Sequence, residues 1–187
     1  EQAEDYAQQH FLDTVALLRK GGAQVEEVEL PPLFSLAQQT IRIIMAAEAA
    51  LNLEELLLKQ APLLSSALKD FLTEGKNLGA VVYLQALKIR LTLQNELQRF
   101  LAKYDAAITP ATTGEAPATL EQTGNPAFCS IWSLCGVPAI NIPAGFGPRG
   151  LPLGLQIVGP QGKDDQVLSA AHWCEGLLAV PPWKEMP

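Results

Sequence analysis

Gly136-Val137-Pro138-Ala139-Ile140-Asn141-Ile142-Pro143-Ala144-Gly145 and, five residues on, Gly150-Leu151-Pro152-Leu153-Gly154-Leu155-Gln156-Ile157-Val158-Gly159 are two short apolar runs bracketed by glycine and proline. Proline fixes φ and donates no backbone hydrogen bond, while glycine opens positive φ. Each run therefore predicts a strand entered and left through tight turns. The order of punctuation is the informative part: Gly-x-Pro opens the first run, Pro-x-Gly closes it, and Gly-Leu-Pro-x-Gly opens the second.

Outward from these runs the chain alternates helical and extended patterns. Apolar side chains at helical spacing (Ala3, Tyr6, Ala7, Phe11, Val15, Leu18) predict a helix over about 3–20, stopped by Gly21-Gly22. Val25-Glu26-Glu27-Val28-Glu29-Leu30 predicts a strand, ended by Pro31-Pro32. Residues about 33–58 are helical and strongly apolar, Pro62 breaks the pattern, and a helix over 63–73 is expected to end near Gly75. A long helix follows from about Ala80 to Tyr104, with Leu84, Leu87, Leu91, Leu97 and Leu101 expected on its buried face. Asp105–Thr109 predicts a short strand stopped by Pro110, 111–126 a loop, and 127–135 a short helix. A last helix is expected from Asp164 to Leu178, with Asp164 or Asp165 as its N-cap. The pattern is that of an α/β chain. No strand precedes the first helix, so the sheet is expected to be cut at its start.

The composition sets further bounds. With 48% apolar and 18% charged residues over 187, one soluble globular domain is expected. A net charge of −7 opposes a nucleic-acid-binding surface, which needs cations to neutralise phosphates. No apolar run approaches the ~20 residues that span a bilayer, and the acidic amino end has no signal-peptide pattern. No membrane attachment and a cytoplasmic location are expected. Cys129, Cys135 and Cys174 are odd in number and lack metal-ligand spacing, which predicts reduced thiols. Two histidines and no clustered carboxylates predict no metal, and Gly145-x-Gly147 and Gly159-x-x-Gly162 read as turns rather than phosphate loops. No cofactor is expected. A chain that opens directly in a helical pattern without methionine is expected to be a fragment.

Taken in order, these elements resemble the carboxy-terminal half of the amidase signature family. The matching residues begin with Gly22-Ala23-x-Val25-x-x-Val28-x-Leu30-Pro31. Arg90 follows on a helix, fourteen residues before Tyr104-Asp105, and the next strand ends in Thr109-Pro110. Phe128 and Trp132 precede Gly136-x-Pro138-Ala139-Ile140, then come Pro143-x-Gly145, the 150–159 run, and Asp164/Asp165 opening a helix with Ala170, Ala171 and Glu175. The resemblance covers essentially the whole chain, and 136–159 is its specific part.

The resemblance implies a mixed β-sheet flanked by helices, truncated here at its amino-terminal half, with residues 1–187 as the carboxy-terminal part of one such domain. It implies hydrolysis of a carboxamide C–N bond, or release of ammonia from an amide donor for transfer. The chemistry it implies uses a serine nucleophile, a second serine joined by a cis peptide, and a lysine that takes the proton through the middle serine. Backbone amides of a glycine-rich loop supply the oxyanion hole. Those residues belong to a Gly-Gly-Ser-Ser type segment and an upstream lysine, which this sequence lacks. Its one serine pair, Ser65-Ser66 with Lys69 nearby, sits in a helical, glycine-free context. The chain by itself is therefore expected to be inactive, and its missing amino-terminal half is the first expected partner. A small amide is the expected substrate of the intact enzyme.

Other candidates carry two readings each. Phe128, Cys129, Ile131 and Trp132 are candidates for a substrate-pocket wall, with packing under the strand turns as the alternative for Phe128 and Trp132. Arg90 would bind a substrate carboxylate or hold a structural ion pair or loop carbonyls. Asp105 is expected to fix the turn before its strand. His172 and Cys174 lie about 200° apart on a helix, so no cysteine nucleophile is expected from them. Within the family, the A subunit of a tRNA-dependent amidotransferase tends to carry an aspartate in the loop before Gly-x-Pro, and Asn125–Ser133 has no acidic residue. The alternative from another class is a free-standing, non-catalytic interaction module. An isolated half is expected to expose an apolar face or to cover it by homo-oligomerisation.

Overall fold

A computed structural model describes residues 3–120 and 123–180. They fall into two compact units, one formed by the chain up to Leu30 and from Glu96 onward, the other by Pro31–Asn95.

The first unit is built on a three-stranded antiparallel sheet. Strand β1 (Ala107–Pro110) and strand β2 (Ala139–Phe146) pair on either side of β3 (Pro152–Val158). The opening glycine–proline runs are thus adjacent strands, as their punctuation predicts. Directly opposed residues share a face. Ile108, Ile157 and Ile140 stand in one row and Thr109, Gln156 and Asn141 in the next. The first row faces an apolar core of Leu18, Ile142, Leu155, Ile157, Val167, Ala171 and Cys174. That core is closed by helix α1 (Asp5–Lys20) and, further along the chain, by the last helix, Asp164–Leu178. The second row is polar and carries the candidate site.

Helix α1 buries Ala7, Val15 and Leu18 of the predicted stripe, together with Thr14, and half-buries Tyr6 and Phe11. It closes at the predicted glycines: the Gly22 amide bonds the Arg19 carbonyl and the Ala23 amide bonds the Leu18 carbonyl, the paired bonds of a Schellman end. Residues 25–30 are not a strand. Ala23 and Val25 pack against the core, yet the segment joins no ladder among the described residues, and Glu26, Glu27, Val28 and Glu29 are exposed. The apolar residues Val25, Val28 and Leu30 do not alternate strictly, and a strand also needs a partner to take its backbone groups.

The second unit is helical. A 3-10 turn (Pro32–Leu36) leads to α2 (Ala37–Asn52), α3 (Glu54–Gln60), α4 (Ser66–Lys76) and the start of α5 (Ala80–Leu101). The helix expected over 33–58 is broken at Leu53, and α4 ends at Lys76, next to the expected Gly75, which lies in its last turn. Gly75 is buried where α2 passes too close for any side chain. Arg42 on α2 forks onto Glu74 on α4 at 3.0 and 2.6 Å and lies over the Phe71 ring. On α5 the expected face holds in its second half and is corrected in its first. Leu97 and Leu101 are buried as expected and Leu87 is half-buried. Leu84 and Leu91, however, are 60% and 58% exposed, and Ala86 and Leu93, each two residues on and so about 200° round the helix, are buried in their place.

Helix α6 (Ser130–Cys135) precedes β2, and Gly136 joins them with φ 65° and ψ 36°, a left-handed conformation that favours glycine. Helix α7 (Asp164–Leu178) has the predicted bounds, but its N-cap is Lys163. Asp164 and Asp165 occupy the first turn, where their charge complements the helix dipole without a capping bond. Among the described residues no helix is long and apolar enough to cross a membrane, and no disulfide joins Cys129, Cys135 and Cys174.

Candidate functional site

The site grows from the polar row of the sheet. A glutamine inside an otherwise apolar central strand must find partners, because an unpaired buried amide costs about 1–3 kcal/mol. Gln156 is 7% exposed. Its Oε1 accepts from the Thr109 hydroxyl at 3.4 Å, and its Nε2 donates to Cys129 Sγ at 3.5 Å. The Cys129 thiol donates in turn to the Ala111 carbonyl at 3.3 Å. The chain of donors runs one way, from Thr109 through Gln156 and Cys129 to Ala111. It spends the Cys129 S–H on a backbone oxygen.

Phe128, Cys129 and Ile131 are half-buried at the start of α6, and Trp132 is 6% exposed. The structure therefore brings the four candidates together on one short segment, with Trp132 deepest. The Trp132 indole Nε1 is buried and has no hydrogen-bond partner among the described residues. Ser130 Oγ donates to the Pro126 carbonyl, which pins the turn that starts α6. Asn125 Oδ1 accepts from the Ala127 amide in the same turn.

A second polar cluster, which sequence reasoning missed, joins the loop after β1 to the turn between β2 and β3. The Glu115 carboxylate, 1% exposed, accepts from Arg149 Nε at 2.7 Å and from the amides of Arg149 and Leu151, both at 3.0 Å. Arg149 Nη2 also donates to the Ala116 carbonyl at 2.7 Å. An open recess of ≈ 530 Å³ adjoins the pair, lined by Glu4, Thr113, Asn125 and both charged residues. Burial pushes the Glu115 carboxyl up. The Arg149 guanidinium and the Leu151 and Arg149 amides outweigh burial and hold it below the usual glutamate range. A depressed carboxylate adds stability that is fully present above the unfolded-state pKa of about 4.3 and is lost as pH falls through the lower folded value. The gap in urea midpoint between wild type and Glu115→Gln is therefore expected to be widest at neutral pH and to close below about pH 4. A gap that stays constant with pH would show that the charge contributes nothing. No sequence signal pairs residues 34 apart across a loop and a hairpin turn.

The remaining candidates sit elsewhere. Arg90 is half-buried on α5, close enough to influence Tyr83. The Tyr83 hydroxyl donates to Glu48 at 3.0 Å. That bond, then burial and the charge of Glu48, push the phenol pKa up, and the Arg90 charge opposes them. Asp105 uses its carbonyl, which accepts from Gln166 Nε2 at 2.7 Å and ties the start of β1 to α7. Ser65 is the N-cap of α4, with its Oγ accepting from the Leu68 amide at 3.2 Å. This is the helix-start role expected of the serine pair, and a capping hydroxyl has no base beside it. Burial raises the Cys174 thiol pKa. No group of three or more metal-ligating side chains occurs among the described residues.

Comparison with known proteins places these features. A family model described as Amidase matches residues 1–168. The chain belongs to the amidase family, and its solved neighbours are amidase signature enzymes. It is 30% identical to the A subunit of glutamyl-tRNA(Gln) amidotransferase from Halothermothrix orenii, over 89% of this chain and 41% of that protein. Among solved structures it is similar to an amidase, with a TM-score of 0.85 and 27% identity over 94% of this chain and 42% of the other. It is also similar to the A subunit of glutamyl-tRNA(Gln) amidotransferase from Thermotoga maritima, with a TM-score of 0.68 and 26% identity over 89% and 38%. The chain spans about two fifths of the length of the curated relatives it matches across most of its own length.

Proposed function

We propose that this chain is the carboxy-terminal part of an amidase signature domain whose whole protein hydrolyses a carboxamide C–N bond. In this reading the serine, cis-serine and lysine that perform the chemistry lie outside the 187 residues. The observation that carries it is the family match over 1–168 in a chain with no Gly-Gly-Ser-Ser segment and with its one serine pair used as a helix cap. Phe128, Cys129 and Ile131 line the substrate side of α6, Trp132 backs them, and the Gln156 row holds the segment against the sheet. Arg90 serves the Tyr83–Glu48 pair structurally. Reduced cysteines support a cytoplasmic setting.

Amide hydrolysis is favoured over the transferase reading by the loop Asn125–Ser133, which has no acidic residue to meet an amino group of glutamine.

The test is ammonia release by the protein as its gene encodes it, from a panel of aliphatic and aromatic carboxamides with glutamine included. Turnover of simple carboxamides is expected. Turnover of glutamine alone would favour the transferase, and no turnover at all would sink both. The 187 residues by themselves are expected to resist labelling by a fluorophosphonate. Labelling at any of their serines would overturn the claim that the nucleophile lies elsewhere.

A further inference from the structure

The loop after β1, Ala111-Thr112-Thr113-Gly114-Glu115-Ala116-Pro117-Ala118, has no large apolar side chain to anchor it by packing. It is nonetheless held at almost every residue. The Thr112 hydroxyl donates to the Gly114 carbonyl at 2.6 Å, and the Glu4 amide donates to the Thr113 carbonyl at 2.8 Å. The Glu115 amide donates to the Tyr6 hydroxyl at 2.7 Å, while its buried carboxylate takes three bonds from the turn between β2 and β3. Arg149 closes the clamp on the Ala116 carbonyl.

The clamp has an output. The Ala111 amide is fixed by the Gly154 carbonyl at 3.2 Å, but the Ala111 carbonyl belongs to the next peptide plane. Its tilt is set by what the chain does after Ala111, and its oxygen is the one that receives the Cys129 thiol. We propose that Glu115 is a positioning residue: it fixes the loop after β1 and, through the Ala111 carbonyl, holds Cys129 and the start of α6 in place. The consequence for substrate rests on the reading of α6 as a pocket wall; the coupling itself does not.

Thiol alkylation by N-ethylmaleimide, resolved by peptide mass spectrometry on the protein as its gene encodes it, reads this coupling directly. Glu115→Ala is expected to speed alkylation of Cys129 by about fivefold or more, the change that follows from about 1 kcal/mol of local loosening. Cys135 and Cys174, 1% and 5% exposed, are expected to keep their rates. Arg149→Gln leaves Glu115 its two backbone amides and is expected to give a smaller rise confined to the same cysteine. Glu115→Gln, which keeps an acceptor oxygen, should fall between the two. An unchanged Cys129 rate in Glu115→Ala overturns the proposal, and so does an equal rise at all three cysteines, which is the mark of general destabilisation. If Glu115→Ala fails to fold, an unchanged Cys129 rate in Arg149→Gln overturns it instead. A separate arm tests the wall: a turned-over carboxamide should slow Cys129 alkylation in the wild type. Failure there removes the pocket reading alone, because the variants measure the coupling without substrate.

Discussion

Replacing Gly75 with alanine is expected to destabilise the helical unit by about 2–3 kcal/mol, the upper range for overpacking. Helix propensity argues the opposite, since alanine in an exposed helix interior is worth about 1 kcal/mol over glycine. The close approach of α2 decides between them. A Cβ at Gly75 would collide with the Ala46 carbonyl oxygen and stand 2.8 Å from Ala50 Cβ. A backbone carbonyl cannot rotate aside as a side chain would, so the helices must separate. Ala46 and Leu72 beside it are fully buried, and separation opens their packing. Gly176 in α7 is the control, because a Cβ there meets nothing within 4 Å. Gly176→Ala is expected to stabilise by about 0.5–1 kcal/mol. Urea midpoints followed by circular dichroism read both. Stabilisation by both substitutions would show that α2 and α4 are not as close as described.

Replacing Ile157 with alanine is expected to cost about 3–4 kcal/mol, within the span for large-to-small changes in a rigid core. Ile157 is fully buried in the central strand, opposed on one side by Ile108 and on the other by Ile140. A cavity there has no flexible element to collapse into it, since the sheet lies on two sides and α1 and α7 close the face. Leu91→Ala supplies the contrast. The regular leucine stripe of α5 predicts a core residue at Leu91, but it is 58% exposed and its truncation is expected to stay within about 0.5 kcal/mol. Equal losses at the two positions would restore the stripe that the sequence suggests and contradict the burial described.

That contrast explains what was legible and what was not. Helices α1 and α7 and strands β2 and β3 are written locally, in the spacing of apolar residues and in the glycines and prolines that end them. Residues 25–30 carry β-branched valines between glycine and proline punctuation, but a strand is completed by its partner, and nothing in the segment states whether one is present. On α5 Leu97 and Leu101 were legible as core, but only tertiary contact chooses Ala86 and Leu93 over Leu84 and Leu91. The segment 128–132 could be singled out from its place before Gly136. The groups that hold it were not: Gln156 gave a hint as a lone amide in an apolar strand, whereas Glu115 and Arg149 are an acid and a base in separate loops until the fold joins them.

Gln156 has one more consequence. Thr109 and Asn141 flank it in the register, and the rows on either side are apolar, Ile108, Ile157 and Ile140 in one and Pro110, Leu155 and Ile142 in the other. Sliding β3 by one residue against either neighbour would turn the amide into the apolar core and lift Ile157 out of it. A single polar side chain thus acts as a registration key, making a one-residue slip of these short strands more costly than the native pairing while adding little attraction of its own.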